Sequence, residues 1–160
     1  QKDGDSADTL RCALELGVNF IDTAPVYGRG HSEKIIGNLL RKGNIRDKVI
    51  LATKAGLAWQ GPKIYHNLKR KRILDELNAS LSRLRTDKID LYQIHWPDPA
   101  VPIKESAETM CELYKDERIG AIGVCNYSVK QIKEFMDYSP LHSVQMPYNM
   151  FRREIEKDIV

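Results

Sequence analysis

The chain has 160 residues, 42% of them hydrophobic and 29% charged, and 25 basic against 22 acidic side chains leave a formal net charge of +3. That length fits one domain. A charge so nearly balanced gives no field of the kind that draws nucleic acid, and no run approaches the ~20 consecutive apolar residues of a membrane span. Cys12, Cys111 and Cys125 are an odd number without metal-ligand spacing, which points to a reducing, cytoplasmic setting and to no bound metal.

Residues 6–16 place Leu10, Ala13 and Leu14 on one helical face, with Gly17 positioned to end the helix. The run Val18-Asn19-Phe20-Ile21 then reads as a first buried strand. Ile35, Ile36, Leu39 and Leu40 predict a helix over 32–41, and Val49-Ile50-Leu51-Ala52 a second strand. From Leu68 to Arg85 the positions Ile73, Leu74, Leu77, Leu81 and Leu84 keep i, i+3/i+4 spacing, the mark of an amphipathic helix. Its basic opening, Lys69 to Arg72, reads as a solvated helix face. A third strand is expected at 89–94, a helix over 103–116 behind Pro102, and a fourth strand at 119–124. Ser128 and Gln131 form a capping-box pattern for a helix through Tyr138, and a fifth strand is expected at 142–146.

Strand and helix therefore alternate, with successive strands about 25–40 residues apart, the length of a βαβ unit. Such a chain builds an α/β fold with a parallel sheet covered by helices. Periodicity leaves two architectures open, a doubly wound sheet or a (β/α)8 TIM barrel. The glycine-rich turn favoured by the first is only weakly suggested, since Tyr27-Gly28-Arg29-Gly30 lacks a third glycine.

A polar residue closes each expected strand: Asp22, Lys54, His95, Asn126 and Gln145, with Tyr27 in the loop after the first. Singly, each has an ordinary explanation: a cap, a lysine reaching solvent, a satisfied core histidine. Together they point to a site, because the carboxyl ends of parallel strands face the ligand in both architectures.

Three motifs carry a family resemblance. Asp22-Thr23-Ala24-Pro25-Val26-Tyr27-Gly28 with Ser32-Glu33 and Ile36-Gly37, Leu91-Tyr92-Gln93-Ile94-His95-Trp96-Pro97, and Ile122-Gly123-Val124-Cys125-Asn126-Tyr127-Ser128 resemble the aldo-keto reductase signature, and Lys54 completes it. The overall tone is closer to bacterial members and potassium-channel β-subunits. The resemblance implies a (β/α)8 barrel of which residues 1–160 form the central part of a single domain, with about five βα units, the first strand before the chain and the last two after it. It implies NADPH as cofactor and a small-molecule carbonyl as substrate. NADPH rather than NADH is inherited from the family, because the groups for the adenosine end lie outside these residues. Oligomeric state and the particular carbonyl are not legible.

The expected chemistry suits these residue types. Reducing a carbonyl needs a hydride at carbon and a proton at oxygen, and no side chain donates hydride. A phenol with a pKa of about 10 is a weak acid at neutral pH, and a neighbouring ammonium favours its phenolate. Tyr27 is thus the expected proton donor, Lys54 the cation beside it, Asp22 the partner that fixes Lys54, and His95 the group that orients the carbonyl. By resemblance, Asn126 and Gln145 hold the nicotinamide carboxamide, and Asp22 lies near the nicotinamide ribose. Trp59, in an expected substrate loop from Ala55 to Tyr65, and Trp96 are candidate pocket walls. Cys125 stands where the family more often has serine. An alternative function on the same scaffold is an NADPH-binding regulatory subunit with little turnover. The chain by itself is expected to be inactive, with Ile21, Leu51 and Val144 partly exposed for want of a closed barrel core.

Overall fold

A computed structural model describes residues 2–43 and 45–159. The elements run α1 (Lys2–Glu15), β1 (Phe20–Asp22), α2 (His31–Gly43), β2 (Ile50–Ala55), β3 (Leu57–Gln60), β4 (Lys63–His66), α3 (Arg70–Leu84), β5 (Leu91–Ile94), α4 (Ile103–Lys115), β6 (Ile122–Cys125), α5 (Val129–Met136) and β7 (Ser143–Gln145). Five strands pair in the order β1-β2-β5-β6-β7, every pair parallel. Helices connect them, and α1 to α5 pack neighbour on neighbour along one face. This is an α/β half-barrel, and all five expected strands are present.

Each strand starts or ends a few residues from its expected place. The shift has one cause at β1 and β2, which run on through Asp22 and Lys54. Hydrophobicity alone stops short of charged residues, but these two charges neutralise each other and stay in the strands. The capping box at α5 forms as expected: the Gln131 backbone N–H donates to Ser128 Oγ at 3.3 Å, and the Ser128 N–H to Gln131 Oε1 at 2.9 Å. The basic run at the start of α3 is ion-paired, Arg70 to Glu112, Lys71 to Asp75 and Arg72 to Glu76. No helix among the described residues is long and apolar enough to cross a membrane.

Two expectations are corrected. The segment 55–65 is not a plain loop: β3 and β4 pair antiparallel, Leu57 opposite His66 and Gln60 opposite Lys63. The signal was the Gly61-Pro62 turn flanked by Trp59, Ile64 and Tyr65. Ile21 and Leu51 are buried, whereas Val144, packed against the same core, stays partly exposed. In a strand alternate residues face opposite sides, and these three face the helices. Phe20, Asp22, Lys54, Gln93, Cys125 and Gln145 take the alternating register positions that face the concave side. Part of that concave side is a groove lined by Phe20, Leu91, Ser143 and Met146, together with Ile155 and Ile159 of the C-terminal segment.

Gly37 sets the spacing of α2 and α3. A Cβ there would collide with the Arg83 carbonyl oxygen and stand 2.8 Å from Leu84 Cα, both backbone atoms that cannot swing away. Gly37→Ala is therefore expected to destabilise the complete protein by about 1–3 kcal/mol, read from urea denaturation; an unchanged midpoint would show that the helices can separate at no cost. The chain on its own leaves β1 and β7 as sheet edges and Phe20 half-exposed. Unpaired edges and bare apolar surface favour association, so sedimentation of the isolated 160 residues should give oligomers. A monodisperse monomer with a cooperative melt would show that the C-terminal segment covers the concave side well enough.

Candidate active site

Lys54 lies second from the end of β2, with only 1% of its surface exposed. Burying an ammonium is costly unless acceptors surround it. Three do: Lys54 Nζ donates to Asp22 Oδ2 at 2.7 Å, to Asp22 Oδ1 at 2.8 Å and to the Thr23 carbonyl at 3.1 Å. Asp22 closes β1, the neighbour of β2 in the sheet. Its carboxylate also accepts from two amides, Gln93 Nε2 at 3.2 Å on Oδ1 and Gln145 Nε2 at 3.0 Å on Oδ2.

Tyr27 stands over this pair, 44% exposed, in a tight turn whose next two residues, Gly28 and Arg29, have left-handed backbone. The Lys54 ammonium lies 5.4 Å from the centre of the Tyr27 ring. The His95 ring lies 5.8 Å from it, edge-on at 86°. A direct hydrogen bond from Lys54 to the phenol is absent among the described residues. The ammonium donates to Asp22 and to the Thr23 carbonyl and meets Tyr27 through its ring at 5.4 Å.

His95 follows β5, and its backbone N–H donates to the Ala55 carbonyl at 2.9 Å, which locks it beside the end of β2. Its pKa is lowered to about 4, chiefly by partial burial and further by the Lys54 cation, with Asp22 opposing. The imidazole is therefore neutral near neutral pH. Asn126 follows β6 with left-handed backbone (φ 62°), and its Nδ2 donates to the His95 carbonyl at 3.0 Å. Its backbone N–H donates to the Gln145 carbonyl at 3.0 Å. Cys125 is buried, and burial pushes its thiol up to about 12, so it stays protonated. Cys125 Sγ reaches Gln145 Oε1 at 3.4 Å and Gln93 Oε1 at 3.8 Å. A thiol is a weaker donor than a hydroxyl, so both contacts are weak.

Asp22, Tyr27, Lys54, His95, Asn126 and Gln145 are thus gathered at one end of the sheet. Trp59 sits half-buried on β3, and Trp96, 43% exposed, follows His95. Neither joins the polar cluster by a hydrogen bond or ring contact among the described residues. Sequence reasoning missed Gln93 at the centre. It also gave no role to Glu33, which lies fully buried where it accepts from Thr53 Oγ1 at 2.7 Å and pairs with Arg83 at 2.6 Å. Buried polar residues inside an apolar motif were the available signal. No group of three or more His, Cys, Asp or Glu side chains spaced to hold a metal occurs among the described residues.

A nicotinamide carboxamide offers one acceptor and one amide donor. Gln145 and Asn126 carry complementary amides on adjacent turns, Gln145 exposed and Asn126 half-buried, beside His95 and Asp22. The residues present fit that end of such a cofactor.

A parallel half-barrel whose strand ends hold a buried lysine–aspartate pair under a tyrosine places the chain in the class of parallel α/β barrels. The chain belongs to the Aldo/keto reductase family, whose pattern it matches over residues 1–160. It is 50% identical over 155 residues to aldo-keto reductase YhdN of Bacillus subtilis, covering 97% of this chain and 47% of that protein. To the NADH-specific methylglyoxal reductase of Escherichia coli it is 36% identical, covering 96% of this chain and 51% of the other. Among solved structures, a glycerol dehydrogenase from Gluconobacter oxydans superimposes with a TM-score of 0.93 at 45% identity, over 99% of this chain and 50% of that one. The chain spans about half the length of the curated relatives it matches.

Lys54→Met in the complete protein removes the cation beside His95 and leaves the Asp22 charge unpaired. Both changes favour imidazolium, so the His95 pKa should rise from about 4 towards the ordinary value of about 6.5. An NMR titration of the ring carbons reads it, and a value fixed near its starting point would place the whole shift in burial. The linked sign is that folding stability from neutral His95 is complete above about pH 6.5 and is lost as pH falls towards about 4.

Proposed function

We propose that these residues form the reacting side of an NADPH-dependent carbonyl reductase acting on a small aldehyde or ketone in the cytoplasm. The observation that carries the reading is the buried Lys54–Asp22 pair beneath Tyr27, with the neutral His95 ring at right angles to it. Bound at the Asn126 and Gln145 amides, the cofactor supplies the hydride. The phenol of Tyr27 gives its proton to the carbonyl oxygen, and the Lys54 charge stabilises the negative charge left on the phenol oxygen. His95 donates a ring N–H to the same carbonyl oxygen and, being neutral, does not compete as the acid. Asp22 keeps Lys54 in place. Trp59 and Trp96 are proposed walls of the substrate pocket. NADPH is proposed from the family resemblance; the NADH-specific relative makes the nicotinamide end the better supported part. With relatives about twice this length, residues 1–160 are proposed as the central part of one barrel domain.

Tyr27→Phe tests the reading. In the complete protein it should lower carbonyl reduction by about a hundredfold or more, while NADPH affinity, followed by protein fluorescence, changes little. The phenol is the proton donor, whereas the cofactor rests on other groups. An active variant would mean a different acid. A wild-type protein that binds NADPH tightly but turns over no aldehyde would instead favour a regulatory subunit.

A further inference from the structure

Gln93 has no part in the expected chemistry, yet it is 1% exposed and lies in the middle of the cluster. On β5 it is in register with Lys54 on β2 and with Gly123 on β6, which sets the three in one row on the concave side. The row works because Gly123 is empty. A Cβ there would stand 2.8 Å from Gln93 Cγ and 3.2 Å from its Oε1. The space left by Gly123 is filled by the Gln93 amide, whose two ends are both engaged. Nε2 donates to Asp22 Oδ1 at 3.2 Å, and Oε1 faces the Cys125 thiol at 3.8 Å. The thiol is a weak donor and a weak acceptor, and its single proton has a nearer acceptor in Gln145 Oε1 at 3.4 Å, so the Gln93 amide is oriented chiefly by its bond to Asp22.

We propose that Gln93 is a positioning residue for Asp22: it is the donor that keeps the carboxylate aligned on Lys54 when Gln145 turns to the cofactor. This rests on the function proposed above. Each oxygen of Asp22 has one bond from Lys54 and one from an amide, Gln93 on Oδ1 and Gln145 on Oδ2. A Gln145 amide that gives one N–H to a carboxamide keeps at most the other for Asp22. When Gln145 leaves Oδ2, that oxygen keeps only its bond from Lys54, and Gln93 on Oδ1 is the amide that still fixes the carboxylate. Gln93 holds it from a buried position on a central strand, while Gln145 is exposed on the edge strand β7. The two glutamines therefore divide the work: one exchanges partners, the other stays.

The test uses the complete protein with two variants, Gln93→Met and Gln93→Glu. Gln93→Met keeps an unbranched side chain without the donor. Its kcat should fall about tenfold, as for loss of one hydrogen bond to a charged group, with the Kd for NADPH within about twofold. Gln93→Glu sets a second carboxylate against Asp22. Its kcat relative to wild type should be at least about tenfold low near pH 8 and recover to within about threefold near pH 5, where burial and the adjacent Asp22 carboxylate hold the introduced carboxyl protonated so that it again donates. A residue that merely fills space would give a flat ratio across pH, and that result overturns the proposal, as does an unchanged kcat in Gln93→Met. Crystal structures of wild type and Gln93→Met with NADPH bound supply a readout free of turnover. The carboxylate of Asp22 should rotate and open one Lys54 contact beyond about 3.5 Å, past hydrogen-bond range; an unmoved Asp22 overturns the proposal. Should Gln93→Met fail to fold, the Gln93→Glu pH series decides alone. If wild type reduces no aldehyde, the functional reading falls, and the position of Asp22 in the two crystal structures still decides the role of Gln93.

Discussion

A buried ammonium is the constraint on which the upper end of this sheet depends. Lys54 is on a central strand with almost none of its surface in water, and a charge so placed is tolerated only where its protons find acceptors. Those acceptors dictate their surroundings. Asp22 must close β1 on the concave side, which the register of Asp22 beside Ala52 provides. The Thr23 carbonyl must point inward, so the chain turns directly after the strand. That turn, through the buried Ala24, delivers Tyr27 over the pair, where the Tyr27 N–H closes the loop on the Ala24 carbonyl at 3.1 Å.

The same strand carries a second buried carboxylate contact on its other face. Thr53 points to the helices and donates to Glu33, which Arg83 neutralises from α3. Lys54 and Thr53 are adjacent and so face opposite ways, and each is bound to a carboxylate on another element. β2 is thereby tied to β1 on the concave side and to α2 and α3 on the convex side. Arg83 also approaches Gly30, where a Cβ would stand 2.7 Å from its Cδ, so the ion pair packs against the turn that carries Tyr27. A site held by groups on several rigid elements loses little energy to reorganisation when charge develops in it.

Much of this was legible in the sequence, for identifiable reasons. The five strands and five helices follow from apolar periodicity, and the capping box of α5 from two residues. The six polar strand-end and loop residues stand out because they interrupt apolar runs. The hairpin β3–β4 was missed because its alternation spans only four residues on each side. Which face Ile21 and Leu51 take was misjudged, since a three-residue strand such as β1 shows too few positions to set its phase. Gln93 was hidden for a different reason. A glutamine in a strand is unremarkable until its register neighbour is known to be a glycine and the strand beside it to carry the lysine. Such a pattern lies across strands, and a single sequence does not display it.

The charge state of the cluster gives the arrangement its sense. Asp22 and Lys54 cancel, burial keeps the Cys125 thiol protonated, and His95 is neutral above about pH 4. Gln93, Asn126 and Gln145 bring dipoles without charge. The site at rest is therefore close to neutral, which suits the neutral carbonyl of the proposed chemistry. On the proposed chemistry the balance changes only when hydride arrives and the proton of Tyr27 departs. The charge that then appears belongs to a ring whose centre lies 5.4 Å from Nζ. The ammonium donates to Asp22 and Thr23, which fixes the cation in place. On the proposed chemistry that keeps the roles separate: Tyr27 gives the proton, and Lys54 supplies field.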